Sequence, residues 1–184
     1  GIIPSRKWKK EKFQENWYDG ETLNTAIGQG YVLSTPLQLA VMTARIASNG
    51  KKIEPSIIKR KEKIEFRQIN NTSEHMQLIN KAMFKVVNEQ KGTANRSKSN
   101  KFLFSGKTGT SQVKKITITE REREDFRKKE IEWKNKDHAL FVGYMPSNKP
   151  KYAISVVIEH GGSGASIAAP IAKNIFNYLH NINI

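Results

Sequence analysis

Cysteine is absent from all 184 residues, which excludes disulfide frameworks, thiolate metal sites and cysteine nucleophiles together. It leaves the redox compartment open. Long apolar runs are missing too. The longest uncharged stretch, Thr22 to Ala44, is broken by Gly28, Gly30 and Pro36 and carries Asn24, Gln29 and Gln38. It is too polar for about 30 Å of hydrocarbon. The chain lacks an initiating methionine and an apolar signal segment, so the opening Gly1-Ile2-Ile3-Pro4 reads as the start of a fragment. Negative charge is scarce: 17 acidic residues face 32 basic ones, a net charge of +15. Such an excess favours acidic partners, but an AT-rich genome also yields much Ile, Lys and Asn. The basic residues also fall in three places, 6–12, 51–67 and 114–136, rather than along one stripe. Patterned runs such as Ile154-Ser155-Val156-Val157-Ile158 exclude wholesale disorder.

The first 25 residues scatter Trp8, Phe13, Trp17 and Tyr18 among Lys and Glu without a clear period. They read as a loop-rich entry segment whose aromatics pack on a core elsewhere. A helix start follows: Thr35 as N-cap, Pro36 in the first position and Gln38 completing a capping box. Leu37, Val41, Ala44 and Ala47 give it an apolar face, and Asn49-Gly50 stops it. Strand-like sequence runs from Lys52 to Phe66, interrupted by Pro55. A second helix is predicted from near Ser73, with Gln77 in its first turn and Met76, Ile79, Met83 and Val86 or Val87 on one face, ended by Gly92. A strand opens at Lys101-Phe102-Leu103-Phe104 and runs into Ser105-Gly106-Lys107-Thr108-Gly109-Thr110. Two more strands, Ala139–Met145 and Tyr152–Glu159, are joined through Pro146 to Pro150. A last helix carries Pro170 in its first turn and Ile171, Ile175, Tyr178 and Leu179 on one face. The stretch 114–136, with nine basic and six acidic residues, reads as a charged insertion, a solvated helix or loop rather than a lid or a partner surface, in a chain whose 184 residues make one domain or a piece of one. The order describes an α+β layout, an antiparallel sheet with packed helices.

Gly106-Lys107-Thr108 suggests a phosphate loop at first sight. That motif needs a glycine five residues before Gly106 and a helix after the Thr. Position 101 is Lys101, and Gly109-Thr110-Ser111-Gln112-Val113 does not start a helix, so the phosphate loop is rejected. The alternative is the Lys-Thr-Gly strand of serine penicillin-interacting enzymes. Four residues are a weak match alone, and an ordinary polar edge strand would explain them.

The surroundings change the weighting. The segments Asn24-Thr25-Ala26-Ile27-Gly28-Gln29-Gly30-Tyr31, Ser34 to Ala40 and Gly92-Thr93-Ala94 resemble those preceding the Lys-Thr-Gly strand in class B penicillin-binding proteins. Downstream, His138 to Pro146 and Val156 to Gly162 resemble the two strands that follow it. Pro4 to Lys9 and Trp17 to Thr22 are most similar to the elongation-specific branch, penicillin-binding protein 2. The resemblance covers nearly the whole chain and is weakest at 114–136. It implies a D,D-transpeptidase that crosslinks peptidoglycan stem peptides and is acylated by β-lactams. In that chemistry Lys107 supplies positive charge at the substrate carboxylate, and the Thr108 and Thr110 hydroxyls donate to it. Gly109 removes a side chain where substrate lies on the strand edge. The backbone N–H of Thr110 is the oxyanion donor, and Ser111 and Gln112 touch substrate through their backbone. Also implied are stem-peptide or lipid-linked precursor substrates, a membrane glycosyltransferase partner of the elongation machinery, and a periplasmic place on an inner-membrane anchor absent here. No cofactor is needed, since serine acyl transfer requires a base and an oxyanion hole.

The nucleophile and second motif of that family are not found. Ser48 to Lys51, Ser56 to Lys59 and Ser111 to Lys114 have the Ser-x-x-Lys spacing, but none opens a helix, where a lysine one turn on would take the serine proton. No Ser-x-Asn or Ser-x-Asp occurs. The chain therefore reads as the C-terminal part of a transpeptidase domain, inactive alone, leaving apolar surface in water where the rest of that domain would pack. His75 reads as exposed, Gln29 as structural rather than cleft-lining, and His138 as a strand residue beside the Lys-Thr-Gly strand rather than one that enters the cleft. His160 and Glu159 lack a third ligand at metal spacing, so no metal site is expected. Three competitors remain: a β-lactam sensor or hydrolase, for which no water-activating carboxylate is identified; a basic module for nucleic acid or anionic lipid, which leaves the ordered motifs unexplained; and a non-catalytic remnant of a split gene. Nucleic acid is not expected as a partner.

Overall fold

The computed structural model describes residues 1–58, 64–69, 73–113 and 132–182. Among these residues five α-helices and three strands follow one another: α1 Arg6–Phe13, α2 Asp19–Ala26, α3 Pro36–Ala47, α4 Ser73–Asn88, β1 Ser105–Ser111, β2 His138–Met145, β3 Tyr152–Ile158 and α5 Ala169–Asn181. The strands form one antiparallel sheet in the order β1-β2-β3. Its register runs from Ser105 opposite Tyr144 to Ser111 opposite His138, and from Ala139 opposite Ile158 to Met145 opposite Tyr152. The expected α+β layout is present.

The alternation of side chains across β2 assigns each face to a layer. Ala139, Phe141 and Met145 join Phe104, Val156, Ala168, Ala169, Ala172 and Phe176 in the larger core, under α5. Tyr144, with Val142 beside it, joins Ala47 and Met83 in the smaller one, under α3 and α4. The buried Tyr144 hydroxyl donates to Asn80 Oδ1 at 2.8 Å. Asn80 in turn donates to the Ile46 carbonyl and to Asn49 Oδ1, so one amide ties α3, α4 and β2. Burial pushes the Tyr144 phenol up, more than a hydrogen bond with Ser105 pulls it down. The start of α3 is as expected: Thr35 Oγ1 accepts from the Gln38 N–H at 3.2 Å, and Gln38 Oε1 accepts from the Thr35 N–H at 3.0 Å. Asn49 and Gly50, both left-handed, end it.

Four expectations are corrected. The entry segment is not loop-rich but holds α1 and α2. Their helical period is masked because the buried position of α1 is a lysine. Lys9 bonds Glu21 at 2.5 Å, meets Glu15 at 3.4 Å and lies 4.5 Å above the Tyr18 ring. The aromatics pack on one another, Phe13 stacking on Tyr31 at 5.3 Å with Trp8 edge-on to both, rather than on a distant core. Second, 52–58 and 64–66 are not strand. A single bridge, Lys51 to Gln68, marks that region, and 59–63 lie outside the described residues. Third, β1 begins at Ser105. Phe102 and Phe104 alternate inward around exposed Leu103, but 101–104 have no ladder partner among the described residues. Fourth, α5 buries Ala169, Ala172 and Phe176 and leaves Ile171, Ile175 and Tyr178 outward. Small side chains let the helix lie close on the sheet, and hydrophobicity alone does not reveal that. Outward apolar residues recur near the N-terminus, with Leu23 and Ile27 more than 70% exposed. Residues 114–131 of the charged insertion lie outside the described residues; Trp133–Asn135 forms a short 3-10 turn at its end.

Candidate active site

Gly106 is where the two interpretations of the motif part. A Cβ there would overlap the Phe141 ring, and one at Gly143 would come within 2.7 Å of it. Both glycines make room for an aromatic of the core, which explains a glycine before Lys107 without any phosphate. Beyond it, β1 pairs only with β2 among the described residues, so its other edge offers backbone N–H and C=O groups to an extended ligand.

Lys107 is exposed and its ammonium donates to the Thr108 carbonyl at 2.6 Å. The Thr108 hydroxyl lies 3.0 Å from that of Thr93. At Gly109 a Cβ would stand 3.2 Å from the Leu140 side chain. Gly164 packs on the same point: a Cβ there would overlap the Gly109 and Leu140 carbonyls. The wide turn Gly164–Ala168 that leads into α5 thus braces β1 at its narrowest residue. Thr110 is exposed, and its carbonyl accepts from Gln29 Nε2 at 2.9 Å. Gln29 stands between Gly28 and Gly30, at φ 75° and 70°, where a side chain would be strained. Ser111 closes the strand against His138, and Gln112 lies just past it.

The site therefore gathers Lys107, Thr108, Gly109, Thr110 and Ser111 on one strand and brings two residues from far away in sequence. Gln29, assigned a structural role, reaches the strand across 81 positions. Thr93 was not singled out, although the turn that carries it belongs to the resemblance. His75 is exposed, as expected. His138 faces His160: its Nδ1 accepts from the His160 N–H at 2.9 Å, and the rings lie 4.7 Å apart. Among the described residues no three His, Asp or Glu side chains converge on one point. The three serines at Ser-x-x-Lys spacing are not at helix starts: Ser48 caps the end of α3 and bonds the Arg45 carbonyl, Ser56 bonds Ile58, and Ser111 ends β1. Lys59 and Lys114 lie outside the described residues.

Residues 7–177 match the penicillin-binding protein transpeptidase domain model. The chain belongs to that family. Its curated relatives include the peptidoglycan D,D-transpeptidase MrdA of Haemophilus influenzae, 32% identical over 97% of this chain and 29% of the relative, and that of Acinetobacter baumannii, 35% identical over 97% of the chain and 27% of the relative. Among solved structures, the complex between penicillin-binding protein 2 (PBP2) and MreC from Helicobacter pylori aligns at a TM-score of 0.82 and 32% identity, over 99% of this chain and 31% of that one. The chain thus spans about three tenths of the length of the relatives it matches.

Proposed function

We propose that this chain forms the substrate-binding wall of a peptidoglycan D,D-transpeptidase of the elongation type, with nucleophile and base supplied by a part of the protein outside these residues. The observation that carries it is the Lys107-Thr108-Gly109-Thr110 strand, with its free edge bounded by Thr93 and Gln29. A stem peptide ending in D-Ala-D-Ala lies along that edge. Its carboxylate meets the Lys107 ammonium and the Thr108 and Thr110 hydroxyls, and Gly109 leaves room for the peptide. Serine Oγ bonds to the penultimate D-Ala carbonyl carbon while its proton passes to the base. The oxyanion is held by the Thr110 N–H. The carbon–nitrogen bond to the terminal D-Ala breaks and the leaving amine takes a proton. An amine of a neighbouring stem then forms the new amide, and the serine–carbon bond breaks. Ser111 and Gln112 extend the backbone track. No cofactor enters this chemistry.

β-Lactams are taken as the same carboxylate and carbonyl in cyclic form. A periplasmic place on a membrane anchor, a glycosyltransferase partner and an MreC-like scaffold, which a relative's solved complex contains, follow from kinship with the elongation enzymes. The competing basic-module hypothesis is not favoured, because it leaves the strand and its two distant partners without a role.

The test is intact mass of the full-length protein after incubation with a penicillin. One covalent adduct, formed much more slowly in Lys107→Ala, is the expected result. A folded full-length protein that takes no adduct overturns the proposal.

A further inference from the structure

Thr93 sits in the turn Gly92-Thr93-Ala94, which is fixed on both sides. A Cβ on Gly92 would overlap the Val86 carbonyl and press on that of Lys85, so the turn folds tightly onto the end of α4. Ala94 is fully buried, and its N–H donates to the Val86 carbonyl at 3.0 Å. Asn88 then ties the last turn of α4 to the start of β1 by donating to the Phe104 carbonyl at 2.9 Å. Backbone packing, and not a long side chain, therefore sets the 3.0 Å between the Thr93 and Thr108 hydroxyls. A pair of exposed threonines on independent loops would not hold such a distance.

A hydroxyl has one proton to give and two lone pairs to accept with. If Thr108 gave its proton to Thr93, none would be left for a bound carboxylate. If Thr93 gives its proton to Thr108, the Thr108 proton is free and aimed away from Thr93. Lys107 already spends one N–H on the Thr108 carbonyl, so charge and hydroxyl converge on the same peptide unit. We propose that Thr93 is a positioning residue, the first member of a relay Thr93 O–H to Thr108 O–H to substrate carboxylate. This rests on the function proposed above and adds to it a residue outside the Lys-Thr-Gly strand.

The test measures acylation rates of the full-length protein with a penicillin and with the methyl ester of that penicillin, which lacks the anionic acceptor. In Thr93→Val, which keeps shape and removes the donor, the penicillin is expected to react about three- to tenfold more slowly, the scale of one hydrogen bond between neutral hydroxyls. The ester rate should stay as in the parent. Thr93→Ser should restore the penicillin rate, and Thr93→Val with Thr108→Val should be no slower than Thr108→Val alone. Equal slowing of penicillin and ester would make Thr93 structural and overturn the relay, as would additive losses in the double variant. A parent that is acylated no faster than Thr93→Val overturns the relay alone; a parent that takes no adduct overturns the transpeptidase proposal and the relay together.

Discussion

The first 35 residues and the sheet layer are stabilised by different physics. In the entry region only Pro4 and Lys9 are buried. What holds it is the Lys9–Glu21 pair, the rings of Trp8, Phe13 and Tyr31 and one short bridge between Ile2 and Leu33. In the sheet layer the core under α5 is an apolar cluster, with Phe104, Phe141 and Phe176 fully buried against alanines. A buried polar bond lies on the other face of the sheet, at Tyr144 and Asn80. Charge-assisted bonds respond to pH and salt; burial of hydrocarbon hardly does. The two regions should therefore fail under different conditions, although they meet at the site through Gln29 and Thr110.

The largest effect is expected in the apolar region. Phe176→Ala leaves a cavity among Phe104, Phe141 and Ala172 and should cost about 3–5 kcal/mol, much of the stability of a domain this size. Urea unfolding followed by circular dichroism reads it. A loss well under 1 kcal/mol would mean that α5 is not the keystone of the sheet. Gly164→Ala comes next. Its methyl would press on the Gly109 and Leu140 carbonyls, and overpacking of this kind costs about 1–3 kcal/mol. It should also displace β1 at the site, so the acylation rate of the full-length protein should fall more than for a substitution of equal cost at the far end of α5. Equal falls would show that Gly164 only stabilises.

The entry region should break with pH instead. Hydrogen bonding to the Lys9 ammonium, helped by the Tyr18 N–H, holds the Glu21 carboxyl below its ordinary range. Burial pulls Lys9 down, but the Glu21 and Glu15 carboxylates outweigh it and hold the ammonium above its ordinary value. A depressed carboxyl contributes stability that is present above its unfolded pKa and lost as pH falls through the folded one. A raised ammonium contributes stability that is present below its unfolded value and lost as pH rises through the folded one. Trp8 and Trp17 fluorescence, with Trp133 replaced by Phe, should therefore report opening of α1 and α2 in acid, and again in strong alkali, before the sheet unfolds. Glu21→Gln should remove most of the acid step. A single transition at one pH for both regions would refute the separation.

Legibility in the sequence divides along the same line. The cap and stop of α3, the three strands and the Lys-Thr-Gly motif were readable because local rules and burial agree there. α1 was not, because its inward residue is a lysine and its partners lie 6 and 12 positions on. Of the face expected for α5, Leu179 packs on the core while Ile171, Ile175 and Tyr178 point outward, since small alanines carry little hydrophobic weight even where they make the closest contact. Around β1, Lys107 to Ser111 are contiguous in the chain and can be picked out together, whereas the contacts of Gln29 and Thr93 with that strand depend on tertiary placement across 81 and 15 positions.

The smallest effect is the one that isolates burial as the cause. α1 carries a second lysine–glutamate pair, Lys7 with Glu11 at 3.8 Å, both side chains well exposed. It shares α1 with Lys9 and the charges of the Lys9–Glu21 pair, which joins α1 to α2, but not the enclosure. An exposed pair of this spacing contributes about 0–0.5 kcal/mol, so Glu11→Gln should leave the acid step seen by Trp8 unmoved and shift the urea midpoint barely beyond error. If Glu11→Gln moved the acid step as far as Glu21→Gln does, helix charge in general would be responsible, and the enclosure of Lys9 by Tyr18, Tyr31 and two carboxylates would not be what holds the entry region together.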